Sequence, residues 1–201
     1  MPAESLTDSR IAAFSDGVFA VAITLLVLDL QVPKGTLEPL PQLLASEASS
    51  YVLFVVSFAI IGIKWLNHHR MLEQIRRADT TLILLNLVLL LGISVVPFTT
   101  ALLGRYLGTP DATLASVVYG IVWVLNGIAY SVMLGYAQRA GLTASSTPRD
   151  RRTFVLYVLG PVGYALGTVL SFASVPVAIA VYCAVVCVYI PSYGPAAKPG
   201  A

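Results

Sequence analysis

Residues 10–29 read Arg-Ile-Ala-Ala-Phe-Ser-Asp-Gly-Val-Phe-Ala-Val-Ala-Ile-Thr-Leu-Leu-Val-Leu-Asp, an apolar run of membrane length with a carboxylate, Asp16, about two turns in. A charge at that depth in hydrocarbon is expensive unless it is paired or lines an aqueous path. Asp16 therefore restricts the chain to folds that give this helix a polar neighbour or a wet seam.

The rest of the composition agrees with a membrane setting. Of the 201 residues, 57% are hydrophobic and only 11% charged, whereas soluble domains sit near about 25% charged. The lipid bilayer is thus the expected partner. A net charge of +2, without a basic stretch interleaved with aromatics, argues against nucleic acid. The first run lacks a basic start followed by a small-residue cleavage site, so it reads as a retained helix and not as a signal peptide.

Apolar segments recur with polar punctuation, which predicts an all-α membrane protein of six transmembrane helices. The expected spans are about 10–31, 50–66, 82–103 (interrupted by Pro97), 114–136, 154–172 and 175–191. Pro33, Gly35, Pro39 and Pro41 mark a loop or short interfacial stretch after the first. Residues 1–9 read as an N-terminal cytoplasmic segment, 10–191 as a six-helix transmembrane domain, and 192–201 as a disordered cytoplasmic tail. The second and fourth connectors hold Arg70, Arg76, Arg77, Arg139, Arg149, Arg151 and Arg152, against Lys34 and Arg105 in the first and third. That asymmetry puts both termini in the cytoplasm.

No soluble domain is left to house an enzyme or nucleotide site, and an enzyme is not expected. Cys183 and Cys187, four apart on one helix, are poorly placed for a disulfide and make no complete metal site; they read as small packing residues. His68 and His69, adjacent on a helix, point about 100° apart and chelate one ion poorly, so hydrogen bonding is their expected role. No cofactor or metal is expected. Pro161-Val-Gly-Tyr-Ala165 looks like a carbonyl filter of conventional potassium channels, but proline and alanine replace the flanking threonine and glycine, and no pore helix precedes it. Gly163 and Gly167 are better read as a small-x-x-x-small contact between helices.

On the first span, Phe14, Gly17, Val21, Thr24, Leu25 and Leu28 share one stripe, while Asp16 shares another face with Ala20, Ile23 and Val27. The apolar stripe can face a symmetry axis, lipid or ordinary packing. Asp16 enters about 9 Å beyond Arg10, and the returning second span brings Lys64, Trp65, Asn67, His68 and His69 to matching depth. An indole, amide or imidazole there is the expected partner of Asp16.

Three motifs together resemble the transmembrane protein 175 family of potassium channels. They are Arg10-x-x-x-Phe14-Ser15-Asp16-Gly17 with the apolar run after it, Ile63-Lys-Trp65-Leu-Asn67-His68-His69-Arg70, and Asn86-Leu-Val-Leu-Leu-Leu-Gly-Ile-Ser94-Val-Val-Pro97-Phe98-Thr99-Thr100. They cover about the first half of the chain. The resemblance implies a homotetramer of six-helix subunits whose first helices line a central pore without a carbonyl filter, in a bacterial plasma membrane. Carried over, the constriction falls on Val21, Leu25 and Leu28, with Thr24 where some bacterial members present a hydroxyl ring. Arg10, Phe14, Ser15 and Asp16 with Trp65, Asn67, His68 and His69 are implied to form a motif that organises packing by hydrogen bonds. One departure is Val21, smaller than the isoleucine or leucine common there.

Apolar rings on an axis gate by dewetting. Potassium holds its water less tightly than sodium, so it is the expected permeant ion through such a constriction. Thr24 can return part of the dehydration cost. Asp29, near the outer end, is a candidate ring for attracting cations, against the plainer reading of a solvated carboxylate. The rivals are a proton-coupled cation transporter using Asp16 and a histidine, and a non-conducting membrane scaffold.

Overall fold

The computed structural model describes the backbone of residues 3–30, 39–143 and 151–189, and the side chains of 9–30, 39–143 and 159–187. Its described elements are helices throughout: α1 (Ala3–Leu25) closing in a 3-10 turn (Leu26–Asp29), α2 (Leu40–Ser46), α3 (Ala48–Glu73), α4 (Thr80–Tyr106), α5 (Ala112–Arg139), α6 (Arg151–Leu170) and α7 (Val175–Tyr189). A chain that must satisfy its own backbone in hydrocarbon has this as its simplest solution. Among the described residues, four stretches are long and apolar enough to cross a membrane: Ser9–Asp29, Ala48–Glu73, Thr80–Tyr106 and Ala112–Arg139. The last two helices carry shorter apolar stretches, Leu159–Leu170 and Val175–Cys187, among the described residues.

Local chemistry sets the ends. Asp79 caps α4, its carboxylate accepting the Leu82 amide at 2.8 Å. Gly141, at φ +66°, ends α5 in the left-handed conformation, and the Leu142 amide folds back to the Ala137 carbonyl at 2.9 Å. The connectors at this end are also joined: the Arg76 amide donates to the Leu142 carbonyl at 2.8 Å, with a bridge between Ile75 and Thr143. Tyr136 donates to Asp79 Oδ2 at 2.5 Å.

Three expectations change in detail. The second span begins at Ala48 and continues to Glu73, beyond the expected 66, because Asn67 and His68 find partners on α5 and α4, while His69 stacks on Trp65 and meets Glu73 along α3 itself. Pro97 does not interrupt the third span; α4 runs through it, with Pro97 itself buried against other elements. The proline-rich first connector ends in α2, which Pro39 and Pro41 initiate. The expected disordered tail 192–201, and the connector residues Lys34 and Arg149, lie outside the described residues.

The helices pack as α1 against α3 and α4, α4 against α5, α5 against α6, and α6 against α7. An aromatic core joins the last three. Trp123 stacks on Tyr164 at 5.7 Å between ring centroids, and Tyr182 lies 5.4 Å from Tyr119. Gly167 gives the Tyr182 ring its room, and Gly163 does the same for Val185, so these two glycines do let α6 and α7 approach closely. Pro161–Ala165 sits within α6, in mid-helix. Buried hydroxyls pair across helices: Thr100 to Ser57 at 2.9 Å, Ser57 with Tyr119 at 3.1 Å, and Ser116 with Ser171 at 2.8 Å.

Candidate functional site

The first helix has one packed side and one open side. Ser15, Phe19, Ala22 and Leu26, at helical spacing, are all buried against α3 and α4. Phe14, Gly17, Val21, Thr24, Leu25 and Leu28 are all exposed in the single subunit, Val21 by 56% and Leu28 by 61%. The expected stripe is therefore the face of α1 that its own subunit leaves uncovered. Between it and α4 runs an open groove bordered by Phe14, Gly17, Val21, Leu25 and Ser94.

From Leu26 the helix tightens into a 3-10 turn. Side chains three apart eclipse in that geometry, so Leu28 falls over Leu25 and the stripe stays in line. Thr24 donates its hydroxyl proton to the Val21 carbonyl at 2.9 Å, leaving the oxygen lone pairs on the open side. Asp29 lies half-buried in the turn, and its Oδ2 finds no hydrogen-bond partner among the described residues.

Asp16 stands at the border of the two sides, half-buried. It accepts the indole N–H of Trp65 at 2.7 Å, the first of the partners expected for it. Ala20 and Val27, assigned to its face, are exposed. The packed side is instead centred one residue round, on Ser15, because a fully buried hydroxyl finds a partner there. Asn86 Nδ2 donates to Ser15 Oγ at 3.0 Å, and Asn86 Oδ1 faces His68 Nε2 at 2.7 Å. An amide that donates to serine must accept from the imidazole, so His68 carries its proton on Nε2. Its Nδ1 is buried without a partner among the described residues, which suits a bare lone pair and a neutral ring. The Phe19 ring lies 5.4 Å from the imidazole and completes the contact.

The other motif residues lie around this core. His69 stacks on Trp65 at 5.7 Å and meets Glu73 at 3.4 Å. The Asn67 carbonyl accepts the Tyr130 hydroxyl at 3.1 Å. The two histidines thus face different elements. No group of three or more His, Cys, Asp or Glu that could hold a metal occurs among the described residues. Phe14 faces outward with the open stripe, away from the hydrogen bonds. Arg10 is exposed, and the structure brings it to none of these partners. Asn86 heads the third motif but was assigned no role from sequence; its signal there was one amide within an otherwise apolar span.

This arrangement, a polar clasp behind one helix and a bare apolar stripe in front of it, belongs to a multi-pass membrane protein. The profile of the family described as endosomal/lysosomal potassium channel TMEM175 matches residues 10–97. A protein of Streptomyces collinus named as a potassium channel is 39% identical over 178 residues, covering 86% of each chain. The crystal structure of a lysosomal potassium-selective channel TMEM175 homologue from Chamaesiphon minutus superposes with a TM-score of 0.82 at 34% identity, covering 94% of this chain and 99% of that one. The human protein named endosomal/lysosomal proton channel TMEM175 is 26% identical over 133 residues, which span 64% of this chain and 25% of that protein. The chain belongs to the TMEM175 family, whose members are ion channels and not enzymes.

Proposed function

We propose that this chain is the subunit of a passive, potassium-selective channel of the bacterial plasma membrane. Four copies, each a six-helix domain over 10–191 with both termini cytoplasmic, surround a central pore lined by the first helices. Val21, Leu25 and Leu28 form the constriction, without a carbonyl filter. Potassium passes in preference to sodium because it surrenders its hydration more easily to an apolar ring.

The carrying observation is the division of α1: every residue of the proposed lining stripe is exposed, while the opposite side is fastened by Ser15, Asn86, His68, Asp16 and Trp65. An apolar stripe exposed on a long helix fits lipid as well as a pore. The stripe reading gains from Thr24, whose hydroxyl has its proton committed to Val21 and turns its lone pairs outward as a cation ligand would. Asp29 is proposed to concentrate cations at the outer mouth.

Potassium flux from liposomes containing the purified protein, paired with a crosslinking ladder in detergent, tests this reading. Flux and a four-step ladder are expected. Absence of flux beside an active control channel would leave the scaffold alternative standing. A proton-conducting reading draws on the name of the human relative, and a pH-driven flux indifferent to potassium would favour it. The proton-coupled transporter needs Asp16 and a histidine in one relay; here Asp16 is engaged by Trp65, and His68 by Asn86.

A further inference from the structure

A second open face lies on α5, well away from the α1 stripe. Ile128, Ser131, Val132, Gly135, Tyr136 and Arg139 follow one another at three- and four-residue steps, a single stripe along the last three turns of the helix. This stripe is the floor of a groove whose walls are α4, through Thr81 and Leu85, and α6, through Pro161 and Val162.

Small residues give the groove its depth. At its inner end α5 and α6 touch, with the Pro161 ring seated where a side chain on Gly127 would go. A Cβ on Gly135 would meet nothing within 4 Å, and the Ser131 hydroxyl is turned back to the Gly127 carbonyl at 2.9 Å. The groove is thus blind at one end, apolar along its length and polar at its mouth.

Its length and charge select an occupant. From Ile128 to Arg139 the floor measures about 16 Å, half the roughly 30 Å thickness of a bilayer's hydrocarbon. That is the reach of one acyl chain in one leaflet. Arg139 stands exposed in the last turn of α5, at the mouth, and the Thr81 side chain is exposed beside it. The carboxylate at this end, Asp79, is already engaged at both oxygens, by the Leu82 amide and the Tyr136 hydroxyl. Arg139 makes no ion pair among the described residues.

We propose that this groove binds an anionic glycerophospholipid, one acyl chain lying along α5 from Tyr136 to Ile128 and the phosphate meeting Arg139. The site requires only that these helices cross a bilayer; it does not depend on the conduction pathway.

Native mass spectrometry of the purified full chain, titrated with phosphatidylglycerol, phosphatidylethanolamine and phosphatidylcholine of matched acyl chains, tests the headgroup. Wild-type protein retains phosphatidylglycerol about fivefold better than either zwitterionic lipid, the effect expected of one arginine at a membrane surface. Arg139→Gln removes that preference, Arg139→Lys keeps it, and Arg105→Gln at the opposite end leaves it unchanged. Gly135→Leu fills the floor and lowers retention of all three lipids. Phosphatidylglycerol with a photoreactive acyl chain needs no variant, and labels wild-type peptides spanning 128–139, 81–85 or 161–162. Equal retention of the three headgroups overturns the proposal, as does an undiminished preference in Arg139→Gln. Labelling confined to other helices overturns it too. Loss of self-association in Gly135→Leu with lipid retention unchanged would assign the groove to a second copy of the chain instead.

Discussion

Asn86→Ala removes the amide that joins three helices. Two buried hydrogen bonds go with it, to Ser15 at 3.0 Å and to His68 at 2.7 Å. Measured side-chain bonds inside membrane proteins average about 0.6 kcal/mol and reach about 1.7. Both partners are wholly buried and are left without a replacement, so the upper part of that range applies. The expected loss is about 2–3 kcal/mol of stability. Unfolding of the detergent-solubilised protein, followed through Trp65 and Trp123, measures it. Ser94→Ala is the control: among the described residues its hydroxyl bonds only to the Leu90 carbonyl of its own helix, and a change under about 0.5 kcal/mol is expected. Combined with Ser15→Ala, the loss must be less than the sum of the single losses, since the two share a bond. A loss in Asn86→Ala no greater than the control, or strict additivity with Ser15→Ala, would refute the clasp.

Asp16→Asn replaces the acceptor of the Trp65 indole by a weaker one and adds amide protons without partners; reduced folding or assembly yield is expected before any change in selectivity, and normal yield with sodium-permeable currents would contradict it. Leu28→Ala raises single-channel conductance and weakens potassium over sodium discrimination; unchanged bilayer recordings would remove Leu28 from the constriction. Gly127→Ala drives a methyl into the Pro161 ring, which cannot rotate away, and costs about 1–3 kcal/mol in the same unfolding assay. The Tyr136 hydroxyl, followed by the Leu82 amide, holds the Asp79 carboxyl below its ordinary 3.8. That contribution is fully present above about pH 4–5 and fades as pH falls through the lowered value. Tyr136→Phe therefore flattens the acid limb of a stability–pH curve, which thermal melts between pH 3 and 7 would follow.

The sequence made the helices and the division of α1 legible because both follow from hydropathy and a fixed angular step. Gly17, Val21 and Leu25 fall on the exposed side as the wheel requires. The wheel could not anticipate the tightening at Leu26, since nothing in Leu-Val-Leu-Asp distinguishes a 3-10 turn from another α turn. Hydropathy also ended the second span too early. Trp65, Asn67, His68 and His69 look like an exit to water when counted residue by residue, and only the partners of Trp65, Asn67 and His68 on α1, α5 and α4 show that the helix continues. The role of Asn86, quoted only as the head of a motif, was missed for the converse reason: one amide hardly alters the hydropathy of an apolar window. The aromatic core of Tyr119, Trp123, Tyr164 and Tyr182 depends on contacts between elements and left no periodic trace.

The joined connectors bear on how the subunit can move. The backbone bond from Arg76 to Leu142 closes a circuit through the whole of α4 and α5, and the Tyr136–Asp79 bond fastens it a second time. At that end the two helices cannot slide or spread without giving up both links together. The α4–α5 hairpin is therefore a stator, and α1 meets it through the packed side of Phe19, Ala22 and Leu26 and the Ser15–Asn86 hydrogen bond, so a displacement of α1 against that frame disturbs this seam first.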